Sequence, residues 1–259
     1  MSGRTKTWTQ SFRAHREPLG GEDGVRSLAV SELAVQFQPI VDLATGTMFA
    51  VEALTRCARL EWAYPPDLFA AAERESACGR LGRMIRDLTF EGCGPHRVFV
   101  NIHPAELTER WLVRPDDPLC LHEQGVFLEI TESAALDHFD LCNNVLRDVC
   151  ARTGAQLVVD DLGAGYSNLL RIVDLEPRVV KLDLAIARGL HENKRKQVLV
   201  RHMVKLCNEL GAAVVAEGIE TTDELSAVRD TGVQLGQGFL LAKPANPVPQ
   251  VHWPLSRAG

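Results

Sequence analysis

The sequence predicts an α/β fold: a TIM-like (β/α)8 barrel whose first strand runs antiparallel. Three observations carry this. First, charged or amide side chains close or interrupt successive short apolar runs, about one per run. They are Glu52, Asn101, Glu129, Asp160 with Asp161, Lys181, Glu217 and Gln237, in AVEAL, RVFVN, VFLEI, QLVVDD, RVVKL, AAVVAE and VQLGQGFL. A charged group at the end of a buried strand is costly unless something pairs with it. Seven such places imply a shared pocket where parallel strands converge, which is where βα barrels build their sites. Second, helical stretches alternate with these runs, giving βαβ units with right-handed crossovers. Third, 259 residues, 46% of them hydrophobic, suit one barrel of roughly 250 residues.

The elements follow in order. Residues 1–26 read as a flexible tail, 27–250 as the barrel and 251–259 as a C-terminal tail. Runs 33–43 and 47–55 are joined by Ala44-Thr45-Gly46, a hairpin turn, so the first two strands are antiparallel. Pro65-Pro66-Asp67 opens a helix to about residue 79, and a second covers 80–91. Strand RVFVN leads to helix 104–111. Strand VFLEI precedes helix 137–153, stopped by Gly154. Strand QLVVDD leads through GAGYS to helix 166–173. Strand RVVKL leads to helices 184–191 and 195–210, the latter stopped by Gly211. Strand AAVVAE precedes helix 222–231, stopped by Gly232, and VQLGQGFL is the eighth strand. Within VVDD the strand period of two puts Val158 and Asp160 on one face, so Asp161 points elsewhere or lies just past the strand.

Composition excludes several classes. A net charge of −6 gives no basic surface to recruit DNA. No apolar run approaches the roughly 20 residues of a membrane span. Seven scattered cysteines without a CxxC read as reduced thiols of a cytoplasmic protein. His138 and Cys142, four apart on a helix, lack two further ligands at useful spacing. The first 19 residues, with Arg4, Lys6, Arg13 and Arg16 and no acid before Glu17, read as a loose tail, a docking arm or an amphipathic transit peptide. There is no GxSxG, catalytic triad or P-loop. What remains is five acids and an Asn around one Lys, an oxygen-rich cage for hard divalent cations.

These residues also carry a resemblance. Glu52-Ala53-Leu54 within QPIVDLATG…VEALTR, then Asn101-Ile102-His103-Pro104, Glu129-Ile130-Thr131-Glu132-Ser133, DDLGAGYSNL, Lys181-Leu182-Asp183, AEGIET and QGFLLAKP occur in order over residues 33–244. Together they resemble the EAL domains, bacterial phosphodiesterases specific for cyclic di-GMP. The resemblance implies a near-TIM barrel with an antiparallel first strand, and hydrolysis of cyclic di-GMP to linear pGpG with two Mg²⁺ or Mn²⁺ ions. It implies that Glu52, Asn101, Glu129 and Asp160 hold one metal and Asp160, Asp161 and Glu217 the other. Lys181 would orient the attacking water and stabilise charge, with Asp161 and Glu217 sharing the catalytic work. Gln38, Leu54, Arg56 and Gln237 would hold the dinucleotide. Glu132 would anchor the loop after Asp161, which the family links to its dimer interface, and Asp183 and Glu220 would support the site.

Two metals about 4 Å apart suit a phosphodiester, whose negative charge repels hydroxide. A lysine among acids keeps its proton, so Lys181 reads as an electrostatic clamp rather than a base. Leu162, Ala164 and His103 depart from the family's usual residues, and no departure removes a metal ligand. Gly20-Gly21-Glu22-Asp23 faintly resembles the GGDEF signature of diguanylate cyclases, but only 19 residues precede it and it reads as a tail turn. Three functions follow: an active phosphodiesterase, working as a homodimer or with a regulatory protein partner; an inactive barrel serving as a cyclic di-GMP receptor or adaptor; or the same metal barrel acting on another phosphodiester.

Overall fold

Eight strands close into a barrel in sequence order in the computed structural model, which describes residues 24–108, 112, 114–131, 140, 142–163 and 173–255. β1 (Leu33–Asp42) is antiparallel to both neighbours, β2 (Thr47–Cys57) and β8 (Leu235–Gly236). β3 (Val98–Asn101), β4 (Val126–Thr131), β5 (Gln156–Leu162), β6 (Val179–Leu182) and β7 (Ala213–Ala216) complete a parallel series from β2 to β8. The barrel with an antiparallel first strand is therefore the observed fold. The hairpin is set locally: Asp42 Oδ1 accepts from Ala44 N at 3.0 Å and Thr45 N at 2.8 Å. Gly46 has φ +68°, and a Cβ there would sit 2.6 Å from the Trp253 ring, so the turn needs glycine twice over.

The described helices are α1 (Pro65–Arg74), α2 (Cys78–Gly92), α3 (Pro104–Thr108), α4 (Arg147–Thr153), α5 (Leu184–Ala187), α6 (Lys194–Glu209) and α7 (Thr222–Asp230). A π-helical turn, Cys142–Leu146, leads into α4. Two differences from expectation have local causes. The helix expected at 184–191 stops at Ala187, because Arg188 is extended and Gly189 is left-handed; a 3-10 turn, Leu190–Glu192, follows. The last strand shrinks to two residues, since β1 offers only Val41 and Asp42 as partners. Gly238 then passes so close to Ile219 that a Cβ would lie 2.1 Å from its carbonyl oxygen.

Two apolar layers lie between strands and helices. One joins the early strands to α1, α2 and α3; the other joins the late strands to α6 and α7, with Val251, Trp253 and Leu255 packed against it. Inside the barrel each strand contributes one buried apolar residue: Ile40, Ala50, Phe99, Phe127, Val158, Val179, Val215 and Leu235. Phe99 stacks on Phe127 at 4.3 Å. This plug closes the interior below the site.

Candidate active site

The plug determines what lies above it. Strand side chains repeat every two residues, so two positions beyond each plug residue lies the next inward one. On β2 to β8 these are Glu52, Asn101, Glu129, Asp160, Lys181, Glu217 and Gln237. On β1, which runs the other way, it is Gln38, paired in register with Glu52. One polar residue from every strand therefore faces the same mouth.

Lys181 lies at the centre, 1% exposed. Its Nζ is 2.6 Å from Glu217, 2.9 Å from Glu129, and 3.4 Å from Glu52 and from Asp160. Burial pulls this ammonium down, but the charges of Asp160, Glu129, Glu217 and Glu52 outweigh it and hold it well above the usual lysine range. Among these carboxylates it carries its proton. Asn101 donates its amide to Glu129 Oε2 at 3.2 Å and Glu52 Oε1 at 3.4 Å.

Asp161 is not past the strand. β5 carries a bulge between Val159 and Leu162, and Asp161 adopts φ +60° inside it. The bulge spoils strict alternation and lets both adjacent acids face one place: Asp160, Asp161 and Glu217 each offer an oxygen within 4.8 Å of the other two. Burial, then the charge of Asp160, pushes the Asp161 carboxyl up to about 7. Burial, with Asp160 and Glu52 acting against Lys181, pushes Glu217 up to about 8. Burial also raises Glu129 well above the carboxylate range. Glu52 goes the other way: burial pushes it up, but Lys181 and donors from Gln237 and Asn101 more than offset this.

The donor set is all oxygen, as hard divalent cations require. Five carboxylates against one ammonium leave four negative charges when all are ionised, the charge of two divalent ions. Gln237 Oε1 is buried without a hydrogen-bond partner, whereas Glu129 Oε1 is met by Lys181 Nζ at 2.9 Å. The site therefore fits cations.

The remaining expected residues divide. Leu54 and Arg56 share the Glu52 side of β2, further out, and Arg56 donates to the Thr55 carbonyl at 2.9 Å. Gln38 and Gln237 form a buried relay: Gln38 donates to Ala242 O at 3.1 Å, and Gln237 donates to Gln38 Oε1 at 3.1 Å and Glu52 Oε2 at 2.6 Å. The relay ends on Glu52 and orients it. Asp183 is buried and caps α5 through Ala185 N at 2.7 Å. Glu220 lies outside the cluster, half-exposed, in an ion pair with Arg188 at 2.9 Å. Glu132, His138 and most of the GAGYSN loop lie outside the described residues.

A family model described as "EAL domain" matches residues 23–244. The chain belongs to the EAL domain family. Cyclic di-GMP phosphodiesterase PdeR of Escherichia coli is 29% identical to it, over 88% of this chain and 36% of its own length. Cyclic di-GMP phosphodiesterase PA2567 of Pseudomonas aeruginosa is 29% identical, over 84% of this chain and 39% of its own. This EAL domain thus spans little more than a third of those relatives. The Klebsiella pneumoniae BlrP1 calcium/cy-diGMP complex superposes with a TM-score of 0.75 at 29% identity, covering 85% of this chain and 58% of that one. Its manganese/cy-diGMP complex at pH 6 gives 0.73 at 30%, covering 85% and 57%.

Three buried acids of this EAL domain escaped the sequence reading: Glu106, Asp117 and Glu224. Glu106, beneath the β3 loop, accepts from His103 N at 3.1 Å and from Arg86 at 2.6 Å. Nothing local announces it, because Arg86 and its second partner Asp117 are 31 positions apart. Glu224 does have a signature, the T-x-x-E capping box Thr221–Glu224 ahead of α7. No described helix is long and apolar enough to cross a membrane.

Proposed function

We propose that this EAL domain is a metal-dependent phosphodiesterase that hydrolyses cyclic di-GMP to linear 5'-pGpG. The observation that carries the reading is the convergence of one polar residue from each strand on an oxygen-only cluster with a single buried ammonium. The names of its relatives and the ligand in the BlrP1 structures supply the substrate.

Glu52, Asn101, Glu129 and Asp160 would hold one Mg²⁺ or Mn²⁺, and Asp160, Asp161 and Glu217 a second. Such ions, when bound, would lower the pKa of a coordinated water and offset charge on the phosphoryl oxygens. Gln237, steadied by Gln38, keeps Glu52 aimed at the cluster. Lys181 stays protonated, so its role is to orient the nucleophile and stabilise charge developing on phosphorus-bound oxygen. Arg56 and Leu54, at the rim, would face the dinucleotide. The reading includes a cytoplasmic homodimer, to be tested by sedimentation of the purified chain.

The test is turnover of cyclic di-GMP with Mg²⁺, Mn²⁺ or EDTA, read by chromatography, beside Glu52→Ala. Metal-dependent pGpG that disappears in EDTA and falls at least about a hundredfold in the variant is expected, since the variant loses a ligand and orphans Gln237. Tight binding of intact dinucleotide with no product would instead make the domain a receptor. Cleavage of other phosphodiesters but not this one would move the substrate assignment.

A further inference from the structure

Glu224, on α7, is 6% exposed yet lies outside the acidic cluster. Its Oε1 accepts from Gly189 N at 3.0 Å; its Oε2 accepts from Glu220 N at 3.0 Å and Thr221 N at 3.2 Å. Gly189 belongs to the linker that continues β6, the strand of Lys181. Glu220 and Thr221 belong to the loop that leaves β7 directly after Glu217. One buried carboxylate thus joins two loops whose strands supply the site.

The β7 loop has little freedom elsewhere. Gly218 has φ +70°, and a Cβ there would lie 2.9 Å from Leu184 Cβ, so the loop rests on the start of α5. Ile219 N donates to Gln237 O at 3.1 Å, and Ile219 O accepts from Leu240 N at 3.1 Å, which ties the loop to β8. Toward β6 and its linker the described ties are Glu217 N to Leu182 O at 3.4 Å, the packing of Gly218 on Leu184, Glu224, and the exposed Arg188–Glu220 pair. An exposed pair of that kind contributes little, whereas a carboxylate taking three backbone N–H groups makes strong, directional bonds.

We propose that Glu224 is a positioning residue: it fixes the β7 loop against the β6 linker and so holds the Glu217 carboxylate toward Asp160 and Asp161 for cation binding. This rests on the metal reading of the site. An amide could still serve the capping box but keeps only one of the two accepting oxygens. An amide would turn its own N–H₂ toward either Gly189 N or the Glu220–Thr221 amides and lose that side.

The experiment is calorimetric titration of Mn²⁺, without substrate, into the full chain as wild type, Glu224→Gln and Glu224→Ala, with urea unfolding of each and turnover across a Mn²⁺ series. Glu224→Gln should be folded and bind Mn²⁺ about 10- to 100-fold more weakly, the range seen when groups supporting metal ligands are removed. Its turnover should recover toward wild type at high Mn²⁺. Glu224→Ala should bind at least as weakly; if it does not fold, Glu224→Gln decides alone. A Glu224→Gln variant with a lowered unfolding midpoint but wild-type Mn²⁺ affinity would overturn the proposal and leave the metal reading intact. Wild type that binds no Mn²⁺ would overturn both, and shows itself before any variant is made.

Discussion

Lys181→Met keeps the buried stem of the lysine and deletes its charge, and so asks what the ammonium does. Nζ lies 2.6, 2.9, 3.4 and 3.4 Å from four carboxylates. At an effective dielectric near 20, each contact is worth about 5–6 kcal/mol of attraction before desolvation is subtracted. The net loss on removing one member of a buried ion pair is about 3–5 kcal/mol. The metal-free variant should therefore unfold about 3–5 kcal/mol more easily at pH 8.5. The deficit should shrink toward pH 6, as the stranded carboxylates take up protons that the unfolded chain does not hold. Mn²⁺ should also close it, because divalent charge replaces the ammonium. Affinity for Mn²⁺ should not fall, since a competing cation has gone. Turnover behaves differently: without the donor that faces the developing charge, kcat should drop about 10²- to 10³-fold even at saturating Mn²⁺. Urea unfolding with and without Mn²⁺, calorimetric titration and product chromatography read these quantities separately. A metal-free variant as stable as wild type, or one that binds Mn²⁺ more weakly, would refute the counter-charge argument.

Three further outcomes follow from the same structure. Asp161 and Glu217, held up near 7 and 8, bind protons in the folded metal-free state that the unfolded chain has released above about 4.5. Stability of the metal-free protein should thus fall as pH rises from about 5 to 8, while the thermal shift produced by Mn²⁺ grows from pH 6 to 9; a shift that does not change with pH would contradict this. Arg86→Met strands Glu106 and Asp117, both fully buried, and should cost about 3–5 kcal/mol, or roughly 6–20 °C in Tm; calorimetry that finds under 2 °C would show the triad to be dispensable. Asp161→Asn keeps a residue that tolerates the left-handed backbone, so Tm should hold while Mn²⁺ affinity falls at least about tenfold. Equal losses of both would place its role in the fold.

What the sequence reveals here is what a period of two can carry. Short apolar runs ending in Glu52, Glu129, Asp160, Lys181 and Glu217 specify inward positions without any knowledge of the closure, because the plug residue two places earlier is apolar for the same geometric reason. The hairpin at Ala44-Thr45-Gly46 was equally local. The relay from Ala242 through Gln38 and Gln237 to Glu52 was not readable, since its bonds join residues 185 to 204 positions apart. Gln38, read as a dinucleotide contact, also carries a link that only the closed barrel reveals. Glu220, read as a support of the site, sits three residues after Glu217, past the turn at Gly218, and pairs with Arg188. The buried triad around Arg86 had no local mark at all, as α2, α3 and the Asp117 turn meet only when the barrel closes.

The bulge at Asp161 explains why two adjacent acids serve one site. A regular strand sends neighbours to opposite faces, so a DD pair at the end of β5 would waste one carboxylate on the helix layer. The extra residue between Val159 and Leu162 removes that constraint, and the left-handed turn at Asp161 redirects its side chain. That conformation is unfavourable for most L-residues and tolerable for Asp, whose short side chain bonds locally. Here the local bond comes from the neighbour: Asp161 N donates to Asp160 Oδ1 at 2.9 Å. The same contact steadies the Asp160 carboxylate beside Lys181. Like-charge repulsion thus falls on Asp160 and Asp161, and a cation placed among Asp160, Asp161 and Glu217 would relieve it.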